Sequence, residues 1–383
     1  MSTLRVNVRR EMLGWACARA GLDARDLARR IPQLVEWERG KKQPTLRQLE
    51  EFAKATHTPV GFLFLDQPPE EHVPIPDFRT VADAGVRGPS PDLLDTLYLC
   101  QQRQDWYRDF ARSTGARPLS IVGAVRVHED VVQTAATIRH ALGFDVDARR
   151  QMPTWTDALR RFIEQADTLG VLVMVSGVVG SNNRRRLDPR EFRGFALADE
   201  LAPLVFVNGA DSKSAQMFTL AHELVHIWVG QTALSDADAS APPAQALERW
   251  CNQVAAELLV PMETFRGELD RAAELRPELD RLARRFKVST LVILRRMHDA
   301  GSLRGDAYWQ AYEHELARLR ELPRGSGGDF YLTLGARAGK RFARALVAST
   351  LEGRSSFTEA FRLLGFKKMS TFRELGNSLG MGF

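Results

Sequence analysis

Apolar positions recur at helical spacing through most of the chain and at strand spacing in one short region. In "REMLGWACARAG" Met12, Leu13, Ala16 and Ala20 share a face, and Gly21 ends the pattern. Asp23 can cap a second helix, "DARDLARRI", which Pro32 ends. A short piece, "QLVEWERG", stops at Gly40, and Thr45 can cap a fourth helix with Leu46, Leu49, Phe52 and Ala53 on one face. Residues 1–67 therefore read as one compact helical unit. The stretch "DQPPEEHVPIPDF", rich in proline and charge, reads as a linker. Ser90-Pro91 opens a long helix, and more helix is predicted near 128–142 and 154–169, so 68–150 is a helical linker region.

From Gly170 the pattern changes. "GVLVMVSGVVG", "FRGFALAD" and "PLVFVNG" are β-rich and follow one another closely. Three short strands in a row predict a small, mainly antiparallel sheet. A helix capped by Asp211 or Ser212 comes next, then one over 244–259 ended by Pro261, then further helices to residue 300. A glycine-rich break, "PRGSGGD", precedes a tail with Leu332, Phe342, Leu346, Leu351, Phe361 and Leu364 at helical spacing. The expected fold class is mainly α with a small antiparallel sheet (α+β), in four parts: 1–67, 68–150, 151–300 and 301–383.

Composition narrows the setting. The 383 residues contain no apolar run long enough to span a membrane, and the N-terminus lacks the apolar core of a secretory signal. Cys17, Cys100 and Cys251 lie too far apart for a disulfide framework or a zinc finger. A cytoplasmic protein without a membrane partner is expected. The net charge of +5 leans only mildly toward polyanions.

The stretch "FTLAHELVHIWVG" places His222 and His226 four positions apart, with Glu223 beside the first. On a wheel turning about 100° per residue, His226 falls about 40° from His222, so both imidazoles share a face. Met217, Leu220, Ala221, Leu224, Ile227 and Trp228 fall nearly opposite, and Glu223 falls to one side. The apolar stripe is expected to bury itself while the histidine face looks into a cleft. Two histidines so spaced can bind one Zn²⁺, and a glutamate beside the first can take a proton from water on that metal. A catalytic zinc needs a third protein ligand and one open position. The helix in "LERWCNQVAAELLVP" offers Glu248 and Glu257 on opposite sides, both flanking its apolar stripe. Spacing does not choose between them.

"HELVH" followed by "LERWCNQVAAELLVP" resembles the ImmA/IrrE family of zinc-dependent endopeptidases. "FVNGADSKSAQMFTLAHELVH" is similar to that family's strand–loop–helix approach to the site, and "LARRFKVSTLVILRRMHDAG" to the helical segment beyond it. The resemblance covers residues 170–300 and implies a zincin-like (gluzincin) fold. It implies His222, His226 and Glu248 as ligands of Zn²⁺, Glu223 as catalytic base, and Asn252 as a partner steadying a ligand. Glu257 is then structural or solvated. "IWVGQTALSDADASAPP" after the second histidine has no assignable feature. For oxyanion stabilisation His128, His140, Tyr308 and Tyr312 are available, and none is marked out.

The segment "ARRIPQLVEWERGKKQPTLRQLEEFAKATHTPVGFLFLD" resembles the helix-turn-helix domain of the phage-repressor (XRE/Cro-like) type. The resemblance implies a recognition helix in the major groove of operator DNA, with Gln33 and Glu36 as readers. Arg39, Lys41, Lys42 and Gln43 would contact phosphate. The stretch between Leu27 and Trp37 is shorter than the pattern and contains Pro32, which clips the recognition helix. The alternative is a platform for a protein partner or a homodimer. The basic run "NNRRRLDPREFR" is either a polyanion contact or a solvated hairpin tip. The tail resembles those of antitoxin-like members, expected to dock on a partner or second subunit, or else to cap the peptidase core.

The expected function is a regulatory zinc endopeptidase cleaving a protein substrate, such as a transcriptional repressor or toxin-system partner. The alternative is a DNA-binding repressor or antitoxin whose peptidase-like domain binds a partner without turnover.

Overall fold

The computed structural model describes residues 5–78, 88–235, 245–321 and 335–382. The predicted break 323–329 and Leu332 lie outside the described residues. The chain divides into two compact units, residues 1–74 with 84–95, and 75–83 with 96–383.

The first unit holds helices α1 (Arg10–Arg19), α2 (Ala24–Arg30), α3 (Leu34–Glu38) and α4 (Leu46–Ala55), then a 3₁₀ turn over Val60–Phe64. Met12, Leu13, Leu34, Trp37, Leu49 and Phe52 fill its core. Helix α4 starts at a complete capping box. The Gln48 N–H donates to Thr45 Oγ1 (3.3 Å), and the Thr45 N–H donates to Gln48 Oε1 (2.9 Å). Such reciprocal caps satisfy two donors that a helix start leaves open.

The second unit contains α5 (Pro91–Ser113, from Thr96 onward), α6 (Val131–Leu142), α7 (Val146–Arg150) and α8 (Trp155–Thr168). Strands β1 (Leu172–Ser176), β2 (Gly194–Leu197) and β3 (Leu204–Asn208) follow, then α9 (Lys213–Val229) and β4 (Ala233–Ser235). Next come α10 (Ala246–Leu259), α11 (Met262–Glu268), α12 (Leu275–Phe286), α13 (Thr290–Asp299) and α14 (Gly305–Glu321). The last helices are α15 (Lys340–Leu351), α16 (Phe357–Leu364) and α17 (Met369–Ser378).

The sheet order is β1-β3-β2-β4. Strand β2 is antiparallel to β3 and β4, but β1 and β3 are parallel. Two of the three pairings are antiparallel, as the sequence predicted, and the parallel β1–β3 pair makes the sheet mixed. The reason lies in the chain between β1 and β2. It folds back on itself through a Val178–Arg186 bridge instead of making a tight hairpin between the two strands, and β3 then inserts between them. Arg184 and Arg186 stand exposed at that turn.

Alternation along the strands builds a layered core. On one face Ala196, Val205 and Val207 join the cluster packed around α9. On the other, Phe195 stacks on its register partner Phe206 with ring centroids 5.0 Å apart. Helix α5 covers that second face. Gln104 Nε2 donates to the Leu197 and Ala202 carbonyls, each at 2.9 Å. Both faces being covered, the strands read as near-continuous apolar runs.

The C-terminal helices belong to this layer. Buried Arg103 donates through Nε to Leu363 O (2.9 Å) and through Nη1 to Arg337 O (2.8 Å). Arg341 Nε donates to Tyr107 Oη at 2.8 Å, and Lys340 pairs with Glu164 at 3.2 Å. The tail thus packs as a cap on its own sheet. Among the described residues no helix is long and apolar enough to cross a membrane.

Candidate metal and catalytic centre

Helix α9 carries the paired histidines, and its two ends fix their depth. Ser212 Oγ accepts the Ala215 N–H (3.2 Å) at the start. At the end, left-handed Gly230 (φ 75°) turns the chain, and the Gln231 N–H closes on His226 O at 3.0 Å. The last turn, which presents His226, is locked by that cap.

The helix lies close on the sheet because β2 offers no side chain beneath it at Gly194. A Cβ on Gly194 would fall 2.6 Å from Thr219 Cγ2, 2.8 Å from Phe206 O and 3.2 Å from Glu223 Cγ. Glycine is the residue that permits such an approach.

Helix α10 supplies the third group. Glu248 Oε2 lies 3.2 Å from His222 Nε2, and Glu248 Oε1 lies 3.1 Å from His226 Nε2. The two Nε2 atoms are 3.1 Å apart. The ligand atoms of all three side chains lie within 4.8 Å of one another. Glu257, the other carboxylate on α10, points elsewhere. It pairs with Arg296 on α13, and its Oε1 accepts the Met262 N–H at 3.1 Å. Glu257 is buried, not solvated.

Half-buried Arg139 and buried Arg149 fasten the far end of α10. Arg139 Nη1 donates to Glu257 O (2.9 Å), and Arg149 Nη2 donates to Leu259 O (2.7 Å). These bonds satisfy carbonyls that a helix C-terminus leaves open. Arg149 also lies 4.2 Å from the Phe144 ring centroid, and burial followed by the charges of Arg139 and Arg285 lowers its pKa to about 9.

The centre is closed. His222, Glu223 and His226 are 0% exposed and Glu248 is 1% exposed, where the sequence predicted an open cleft. The wheel considered one helix alone. In the fold α9 is covered by β2 and β3 on one side and by α10 and α8 on others.

Burial sets the charges. It pushes the Glu223 carboxyl well above its ordinary range; the Glu248 charge adds to this, and the Ser235 hydroxyl opposes it in part. Burial also works to raise Glu248, but the two imidazoles facing it outweigh this and hold it at about 2. His226 is lowered, chiefly by burial. An ionised carboxylate beside an imidazole that stays neutral is the ligand form of both groups. Buried Cys251 is raised by burial and by both glutamates.

This donor set fits a divalent cation. Two Nε2 atoms and a carboxylate converge out of water, and a single shared proton cannot satisfy them all. Both Glu223 oxygens are also buried without a well-formed hydrogen bond. Such groups are costly unless a ligand pairs with them.

Ser235, on β4, was not legible in the sequence. Its Oγ lies 3.3 Å from His226 Nε2. The strand has only three residues, within the stretch that offered no feature, and residues 236–243 of that stretch lie outside the described residues. Asn252, half-buried, stands one turn after Glu248 on α10.

The residues expected at a nucleic-acid surface lie on the first unit. Helix α3 has only five residues, Pro32 occupies the turn before it, and Gln33 is its N-cap. Glu36, Arg39, Lys41 and Lys42 are exposed, and Lys42 pairs with Glu36 at 3.4 Å. The Gln43 side chain is engaged within the unit, accepting the Val8 N–H (3.2 Å) and donating to Asn7 Oδ1 (3.1 Å).

No match was found among curated proteins. Residues 338–378, most of the C-terminal cap, match a domain of unknown function, DUF8813. Residues 166–298, which carry His222, Glu223, His226 and Glu248, match the model of the IrrE N-terminal-like domain, Peptidase_M78. The stretch of chain holding the centre is thus similar to a peptidase-like domain of the ImmA/IrrE kind.

Proposed function

We propose that the second unit is a cytoplasmic zinc-dependent endopeptidase with a regulatory role. His222, His226 and Glu248 hold Zn²⁺, and Glu223 is the general base. The reading rests on one observation: two imidazole nitrogens and a carboxylate meet at 3.1–3.2 Å in a buried site with a second carboxyl beside them.

Zinc, when held there, supplies positive charge that polarises a peptide carbonyl and acidifies water. The rest falls to the chain. Glu223 takes a proton from the attacking water as its oxygen bonds to the carbonyl carbon. It then gives that proton to the amide nitrogen as the C–N bond breaks. A carboxylate that accepts the proton and then returns it serves both halves of that exchange. Asn252 and the α10 cap keep Glu248 in register with the histidines.

The substrate in this reading is a protein, such as a transcriptional repressor or a toxin-system partner. The first unit then brings the peptidase to operator DNA or to a protein partner. Gln33 and Glu36 would read bases, while exposed Arg39, Lys41 and Lys42 would meet phosphate with Gln43.

The closed centre favours a second reading, a repressor or antitoxin whose peptidase-like domain binds a partner without turnover. Metal analysis and proteolysis assays on wild type, Glu223→Gln and His222→Ala decide between them. Glu223→Gln should keep zinc and lose cleavage by about 100-fold or more. His222→Ala should lose the metal. Wild-type cleavage by Glu223→Gln would refute the role given to that residue. Operator binding lost in Lys41→Ala with Lys42→Ala, in a chain that never cleaves, would establish the second reading.

A further inference from the structure

We infer that residues Ile75–Phe78 are a built-in strap that occupies the outer edge of β4 and keeps polypeptides off the catalytic centre; this rests on the peptidase reading above. Strand β4 is last in the sheet order, so its outer edge is where an added backbone would pair. The chain's own linker holds that place. The Leu234 N–H donates to Pro76 O and the Phe78 N–H donates to Leu234 O, each at 2.9 Å. They make a parallel bridge between Asp77 and Leu234. Both main-chain groups of Leu234 are thereby spent.

The position matters because the next residue is Ser235, whose Oγ lies 3.3 Å from His226 Nε2. An extended polypeptide laid on this edge would run beside the metal ligands. Edge addition is a general way for a sheet to take a peptide, with main-chain bonds supplying the hold. Strap and polypeptide need the same two groups of Leu234, so they exclude each other.

The strap is also made to come off. Pro76 has no N–H, so the ladder cannot lengthen through it. Pro76 and Asp77 are exposed, and Ile75 and Phe78 are only half-buried. The strap follows directly on Pro74, where the chain first leaves the helical unit.

The test uses the zinc-loaded full chain. Phe78→Pro removes one of the two hydrogen bonds, and Ile75→Gly with Pro76→Gly loosens the strap without touching Phe78. Three quantities are compared with wild type: amide exchange at Leu234, hydrolysis of reduced carboxymethylated casein, and binding of fluorescein-labelled casein in a Glu223→Gln background. Leu234 exchange should rise about tenfold or more, with hydrolysis and binding each up about threefold or more. Unchanged exchange in both variants overturns the inference, as does faster exchange with neither hydrolysis nor binding altered. Faster exchange and tighter binding without hydrolysis by any chain would uphold the strap and sink the peptidase reading instead.

Discussion

Gly194 and Glu223 face each other across the helix–sheet contact, with room between them for a hydrogen and nothing larger. A Cβ at residue 194 would fall 3.2 Å from Glu223 Cγ and 2.8 Å from the fixed Phe206 carbonyl. Gly194→Ala should therefore lift α9 from β2. Overpacking of this kind costs about 1–3 kcal/mol, readable by urea unfolding. Cleavage should fall further than stability, because the displaced turn carries the base. Unchanged unfolding and turnover would show that the spacing is set elsewhere.

Glu223 should cost stability at neutral pH. Its carboxyl is raised by burial, so the folded chain keeps a proton that the unfolded chain releases near pH 4.3. Stability is then lost as pH rises from that ordinary value through the raised one. Glu223→Gln removes the loss. In chelator the variant should melt several degrees above wild type at pH 8, with the gap closing below about pH 4. Equal melting across that window would mean that the carboxyl is not desolvated.

The Arg296–Glu257 pair, each side chain 6% exposed, ties α13 to the far end of α10. Arg296→Met should strand a buried carboxylate and cost about 3–5 kcal/mol in chemical denaturation. Adding Glu257→Gln should recover much of that loss, since a neutral amide is cheaper to bury than an unpaired charge. A double variant as unstable as the single one would contradict this account.

Zinc should stabilise the fold through the same three side chains. At 100 times its dissociation constant, a ligand specific to the native state adds about 2.7 kcal/mol. That gain, followed as a melting shift on titration with Zn²⁺, should vanish in Glu248→Ala. A full shift in that variant would place the metal elsewhere.

The helices were legible wherever local chemistry set their limits. Thr45 and Ser212 cap as their side chains allow, and the apolar stripe of α9 is buried as its spacing requires. The sheet was legible as strands but not as pairings, because β3, the later strand in sequence, lies between β1 and β2. A three-residue strand such as β4 has no period to detect, which hid Ser235. Glu248 and Glu257 are chemically alike on one helix. Only Arg296, distant in sequence, separates the buried ion pair from the carboxylate that turns to the histidines.

Arg103 is a cation sealed among apolar groups, and two of its acceptors are carbonyls contributed by Arg337 and Leu363. A chain terminated before those residues would leave that guanidinium desolvated and short of acceptors, directly against β1. Arg337 and Leu363, more than 200 residues further along, are thus needed to finish a layer begun near residue 100, and nascent chains still short of them should be prone to aggregate or be degraded.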